Sequence, residues 1–382
     1  MFPLLMIPGP TTLHYRVRKV MSDPQVGHTS KEFYEAFVEL LQLTKKVYKS
    51  TKGYPFVITG SGTIAMEATA MSLIEPDDSV LVLDTGHFGQ RFQSMLDAHG
   101  AKVNTLKFKF GNHADVRVLK EELSKRKYKG VFITHVDTSS TVMNPVIELI
   151  REVKDSGSLC VIDAVCSLGG LEIDFDRFGA DVILSSSQKA LGGPPGAAIT
   201  MLSQEAMDAM ENRKVPIRSY YLNLMRWRPI MEDPKIYLAT PAVQIMLALK
   251  EAMTMVLEEG LEARWERHRK VAEAVRNGLA ALDLGFVAEE SYRANTVTGV
   301  FVPTGKAPEI QSALKREYNV EVARGFAEQR DDALRIGHFA NVDKMHVTAL
   351  LSGMEMTLRS LGMKVRRGVA LEAASKFLQP GA

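Results

Sequence analysis

The sequence predicts an α/β protein: a mainly parallel sheet with helices on both faces, followed by a smaller C-terminal α+β unit. Three observations predict it. Apolar, β-branched runs alternate with helical periods through the first two thirds of the chain. Those runs are continuously apolar, which is how strands buried on both faces read. After a long helical stretch from about 241 to 282, the order changes to strand, helix, strand, helix.

The elements follow in order. "PFVIT" (55–59) is strand-like and "TIAMEATAMSLI" (63–74) helical. "SVLVLD" (79–84) is followed by the helical "QRFQSMLDAHG" (90–100), and "KVNTLKF" (102–108) by "DVRVLKEELSK" (115–125). "GVFITHV" (130–136) precedes "PVIELIREVKDSG" (145–157). "LCVIDAV" (159–165), "DVILSSS" (181–187) and "GAAITML" (196–202) complete the strand candidates of the large unit. The long helical stretch breaks near Gly260. Beyond it come a strand (296–302), a helix (307–318), a strand (333–337) and a helix (343–362). The expected organisation is an N-terminal arm (1–15), a large domain (16–260) and a small domain (261–382).

Composition narrows the function classes. The 382 residues suffice for two buried cores. Lys plus Arg is 47 and Asp plus Glu is 45, a net charge of +2 that gives no reason to expect nucleic acid or a membrane surface as partner. No run of 18 apolar residues occurs, and the N-terminus lacks the pattern of a signal peptide. Cys160 and Cys166 are too few for a disulfide framework and read as buried thiols in a reducing compartment. A cytoplasmic enzyme is the expectation.

Parallel sheets bind ligands beyond the carboxyl ends of their strands, and three unusual features fall there. "TGSGT" (59–63) joins a strand to a helix. It reads either as a plain turn or as an anion site built from glycine-exposed amides and the hydroxyls of Ser61 and Thr63. Asp163 ends an apolar strand, where a carboxylate caps a loop or holds a cationic nitrogen. Lys189 has no charged neighbour within ten residues upstream except Asp181, and none downstream until Glu205. Such desolvation lowers a lysine pKa and suits Schiff-base chemistry. The alternative is a phosphate-binding or snorkelling lysine. Phe88, after another strand, is either core or a stacking ring. A ligand with a phosphate, a protonated ring nitrogen and an aldehyde satisfies all of these together, and pyridoxal 5′-phosphate has all three. The reading calls for no metal.

The chain resembles the class V aminotransferases, closest to the serine–pyruvate/alanine–glyoxylate aminotransferase family. The motifs are "PGPT" (8–11), "GHTSKEF" (27–33), "TGSGTIAMEA" (59–68), "HFGQRF" (87–92), "THVDTSSTVMNP" (134–145), "IDAVCSLGG" (162–170), "SSSQKALGGPPG" (185–196) and "LRIGHF" (334–339). The resemblance implies the fold-type I architecture, with a seven-stranded, mainly parallel sheet. It implies that Lys189 condenses with the cofactor aldehyde and then moves the substrate Cα proton. Asp163 would pair the pyridine nitrogen, Phe88 would stack on the ring, and Val165 would pack on its other face. Ser61, Gly62, Thr63 and Gln188 would hold the phosphate, and Thr138 would face the ring's polar edge. Tyr237 and Thr240 would reach the phosphate of a second subunit, which implies a homodimer with shared sites. Arg335 would bind the substrate α-carboxylate as a fork.

With no obvious second arginine for a distal acid, the expected reaction moves an amino group from serine or alanine to pyruvate or glyoxylate by a ping-pong scheme. Phosphoserine and aminoethylphosphonate aminotransferases are rival readings. A cysteine desulfurase is another, but Gln188 stands where those enzymes carry histidine. A non-catalytic phosphate-ligand-binding module is a rival of a different class.

Overall fold

A computed structural model describes residues 3–379. In chain order the strands are β1 (Leu4–Leu5), β2 (Tyr54–Thr59), β3 (Ser79–Asp84), β4 (Lys102–Lys107), β5 (Gly130–Thr134), β6 (Val136–Asp137), β7 (Val142–Met143), β8 (Leu159–Asp163), β9 (Val182–Ser186), β10 (Ala197–Leu202), β11 (Val297–Phe301), β12 (Val320–Glu321), β13 (Ala323–Arg324) and β14 (Ala333–Gly337). The central sheet has seven strands in the order β2-β10-β9-β8-β5-β3-β4. Only β10 runs against its neighbours. This is the mainly parallel α/β sheet that the sequence predicts.

Alternation along each strand explains why these runs are apolar throughout. Leu81, Leu83, Val131, Ile133 and Ile162 face one core, with the helices Lys31–Val47, Val146–Asp155 and Val243–Glu259. Val80, Val82, Phe132, Val161 and Leu184 face the opposite core, with Gly62–Leu73, His87–Ala98 and Leu224–Glu232. Successive side chains point to opposite faces, so a sheet covered on both sides has no face for polar residues.

Two strands end two residues earlier than their apolar runs. β8 stops at Asp163 because its carboxylate turns back to accept a hydrogen bond from the Val165 amide at 2.8 Å, a local turn that competes with the ladder. β5 stops at Thr134, and the chain re-forms as the β6–β7 hairpin, in which the Asn144 amide donates to the His135 carbonyl at 2.7 Å. The helix expected from residue 90 instead spans His87–Ala98. Its start is set by side chains far away in the sequence, described below.

The smaller sheet has the order β11-β14-β13 and packs with the helices Ala307–Tyr318 and Lys344–Ser360. The long helical stretch is two helices, Val243–Glu259 and Leu261–Ala280, separated by Gly260 at φ 85°. The N-terminal segment crosses to this part of the molecule: β1 pairs with β12, and Met6 is fully buried in the C-terminal core. Burying such a side chain contributes about 1.5–3 kcal/mol, enough to offset the ordering of a residue or two. The Gly337 amide also donates to the Met6 carbonyl at 2.7 Å.

Candidate active site

Because β2, β3, β8 and β9 run parallel, the loops after Thr59, Asp84, Asp163 and Ser186 leave one edge of the sheet. This places the "TGSGT", "GHFGQR", "DAVC" and "SQK" segments beside one another.

The helix Gly62–Leu73 begins at this edge. Ser61 occupies its N-cap position but makes no side-chain capping bond, and the first backbone bonds of the helix run from Ile64 and Ala65 back to the Ser61 carbonyl. The amides of Gly62 and Thr63 thus remain open to an anion. A Cβ at Gly62 would stand 2.8 Å from a Val165 methyl and 3.3 Å from the Ser186 hydroxyl, so glycine lets these three strand ends meet. Ser186 Oγ and Gln188 Oε1 are buried without a hydrogen-bond partner. Open amides and unpartnered buried polar atoms fit a phosphate group.

Asp163 is buried, and burial pushes its carboxyl up to about 7. The Val165 amide and the positive charges of Lys189 and Arg91 pull it back only in part, and nearby Asp137 opposes them. A carboxyl so placed needs a cation to remain ionised, which suits a pyridinium nitrogen. Lys189 is partly buried, and desolvation of its amine, together with the charges of Arg335 and Arg91, lowers its pKa against the opposing pull of Cys166 and Asp163. Its Nζ donates to the Pro8 carbonyl. Gly9, at φ 92°, lies so close that a Cβ there would stand 2.6 Å from Lys189 Cδ. The Thr11 amide donates to the Gln188 carbonyl at 3.3 Å, so the "PGPT" segment lies over the lysine.

Phe88 is held by residues that sequence reasoning missed. Asp137 Oδ2 accepts from the Phe88 amide at 2.9 Å, and Ser139 Oγ accepts from the His87 amide at 2.8 Å. The Ser139 amide and hydroxyl both donate to Asp137 Oδ1, at 2.9 and 2.5 Å. Gly86 permits this approach: a Cβ would stand 2.5 Å from Ser139 Oγ and 2.7 Å from the Asp137 carboxylate. Arg91, on the first turns of the same helix, was also missed. It donates to Thr63 Oγ1 at 3.2 Å, and its guanidinium lies 4.6 Å from the Phe88 ring centre. The short "DTSST" segment carried the one available signal, an acidic residue just past an apolar strand.

Arg335, in the middle of β14, points toward Thr138. Its Nε donates to the Arg324 carbonyl at 2.8 Å and its Nη1 to the Thr138 carbonyl at 3.1 Å. Nη2 has no hydrogen-bond partner among the described residues. Burial pulls the guanidinium down to about 10, still cationic at neutral pH. Thr138 is buried, and its carbonyl meets Arg335. Tyr237 and Thr240 stand apart. They hydrogen-bond each other at 3.1 Å, Tyr237 is 63% exposed, and its ring lies 5.7 Å from that of His28. Both cysteines are buried, and burial pushes the Cys166 thiol up to about 11. Neither is suited to act as a mobile thiolate.

A seven-stranded, mostly parallel sheet with a desolvated lysine and a buried carboxylate at its carboxyl edge is the architecture of the fold-type I transferases. The chain belongs to the class V aminotransferases: that family, described as "Aminotransferase class-V", matches residues 13–329. It is 36% identical over 353 residues to alanine–glyoxylate aminotransferase 1 of Saccharomyces cerevisiae, covering 87% of this chain and 91% of that one. It is 35% identical to an uncharacterised aminotransferase of Methanocaldococcus jannaschii over 98% of this chain and 97% of the other. The crystal structure of ureidoglycine–glyoxylate aminotransferase from Bacillus subtilis superposes with a TM-score of 0.95 at 29% identity, covering 99% of this chain and 98% of that one. The family uses pyridoxal 5′-phosphate and acts on amino acid and 2-oxo acid substrates. Among the described residues no helix is long and apolar enough to cross a membrane.

Proposed function

We propose that this enzyme moves the amino group of a small amino acid, serine or alanine, to pyruvate or glyoxylate in two successive half-reactions at one site. The observation that carries the reading is Arg335. Two of its nitrogens are held by backbone carbonyls and Nη2 is left over, which leaves one edge of the fork for a single α-carboxylate. The curated relatives named for glyoxylate support the acceptor.

Pyridoxal phosphate, when bound, supplies an aldehyde that takes up the amine and a ring that draws electron density from Cα. The rest of the chemistry belongs to the chain. Ser61, Gly62, Thr63 and Gln188 hold the phosphate at the open helix start. Asp163 keeps the ring nitrogen protonated, Thr138 meets the ring's polar edge, and Phe88 and Val165 bound the two ring faces. Lys189, desolvated and therefore able to be a free amine at neutral pH, carries the proton between donor Cα and the cofactor carbon that receives the amine. Arg335 orients the donor so that its Cα–H faces that amine. Tyr237 and Thr240, exposed and offering two hydroxyls, reach the phosphate of a second copy, so the working unit is a homodimer.

One observation favours a different substrate. Arg91, beside Thr63, is a second guanidinium near the site and could meet a distal anionic group. A panel of serine, alanine and phosphoserine against glyoxylate, pyruvate and 2-oxoglutarate separates the two. Preference for phosphoserine or 2-oxoglutarate overturns the small-substrate reading. Arg335→Ala is expected to raise KM for alanine roughly 10–100-fold, the worth of a charged hydrogen bond. An unchanged KM would place the carboxylate elsewhere.

A further inference from the structure

We propose that Phe326 and His87 form an aromatic wall that selects compact donors by confining the space beside Arg335. The proposal deepens the reading of Arg335 as the carboxylate fork and rests on it.

The wall is a continuous row of side chains drawn from two parts of the chain. The Arg335 guanidinium lies 4.2 Å from the Phe326 ring centre. Phe326 stacks on His87, with ring centres 4.9 Å apart and planes at 21°. His87 meets Phe88 edge-on at 5.6 Å. The row therefore runs from the group that would take the carboxylate to the ring that would stack on the cofactor. The charges of Arg335 and Arg91 both act on Lys189, and Arg91 lies 4.6 Å from the Phe88 ring centre, so a donor with its carboxylate on Arg335 and its amine at Lys189 passes beside this row. Its side chain meets the rings as it grows.

The row is held in place. A Cβ at Gly325 would drive into the Gln329 carbonyl, and Ala327 sits at φ 45°, in the left-handed region that a residue with a Cβ adopts only at a cost. These two positions fix the tight turn that presents Phe326. On the other side, Ser139 fixes the His87 backbone. By lying against the guanidinium, Phe326 closes approach from that side and leaves the in-plane N–H groups to a carboxylate, the geometry such a pair requires.

The test uses the cofactor-loaded enzyme and the variants Phe326→Ala, Phe326→Tyr, His87→Ala, His87→Phe and Arg335→Ala. Two quantities are measured: the ratio of kcat/KM for alanine to that for norvaline, and the dissociation constant of acetate read from the cofactor's absorbance. Phe326→Ala and His87→Ala are expected to lower the alanine preference by about tenfold or more, the usual worth of a methylene or two in a confined pocket. The ring-retaining variants Phe326→Tyr and His87→Phe keep it. Acetate binding should be lost in Arg335→Ala and kept in Phe326→Ala. If acetate depends on Arg335 while the alanine preference survives in both alanine variants of the wall, the wall is overturned and the fork stands. If Arg335→Ala binds acetate as tightly as the wild type, the fork reading fails and the wall falls with it.

Discussion

Asp137 holds the backbone of Phe88: its Oδ2 accepts from the Phe88 amide at 2.9 Å, across 49 residues of sequence. The other oxygen takes the Ser139 amide and hydroxyl, so a fully buried carboxylate is satisfied by groups that also start a helix. A negative charge at a helix N-terminus is favourable in its own right. Asp137→Asn puts an NH2 group opposite the Phe88 amide or removes the Ser139 bonds, whichever way the amide turns. Hydrogen bonds to a charged group contribute about 1.5–3 kcal/mol. A loss of that size in thermal unfolding is expected, with weaker cofactor retention because Phe88 is displaced. An Asn variant that unfolds and binds cofactor like the wild type would remove Asp137 from this role.

Asp163 makes the cofactor-free protein sensitive to pH. Its folded carboxyl titrates near 7 because of burial, well above the ordinary aspartate value of 3.8. Between those two values the folded chain holds a proton that the unfolded chain has released, so stability falls as pH rises. The contribution is fully present below about pH 4 and lost by about pH 7, on the order of a few kcal/mol. Asp163→Asn should flatten this slope in the apoprotein, measured as Tm against pH, while weakening cofactor binding at neutral pH. Parallel slopes in the two proteins would show that another group titrates.

Lys189→Ala tests the proton carrier. Turnover should fall by at least about 10³-fold, within the range for a lost general acid–base group. Cofactor should still be retained through the helix Gly62–Leu73. Borohydride reduction of the wild type followed by peptide mapping should label Lys189, and label at another position would move the site.

Gly9→Ala probes the segment lying over the lysine. The φ of 92° alone costs a residue with a Cβ about 1 kcal/mol, and the new methyl lies against Lys189. The expected signature is a kcat loss far larger than the drop in Tm. A stability loss with kcat intact would mean that the segment only packs.

Much of this enzyme is legible along the chain. The interior runs of the central sheet announce themselves by continuous apolarity, since both faces are covered, whereas the edge strand β4 carries Asn104 and Thr105 and has no buried residue. The helical run from 241 to 282 shows its break at Gly260, where φ is positive. Asp163 and Lys189 stand out because each is an ionisable group in apolar company, which folding can tolerate only for a reason. Arg335 is different. On its own it is a polar residue in a short strand, and only motif resemblance singles it out. Asp137, Ser139 and Arg91 lie within matching motifs but their residue types alone assign them no role, and Phe326 carries no mark at all: an acid after a strand or an aromatic in a loop is ordinary in sequence.

Taken alone, then, the order of residues determined the sheet, the family, the cofactor and the lone lysine, because hydrophobic periodicity and short motifs are local properties. Three-dimensional packing decided the rest. Where the helix His87–Ala98 begins depends on Asp137 and Ser139, and where Phe326 lies depends on a tight turn and on His87. These are contacts between segments tens to hundreds of residues apart. Hydrogen bonds and ring stacking act over a few ångströms of space, and distance along the chain does not report that separation.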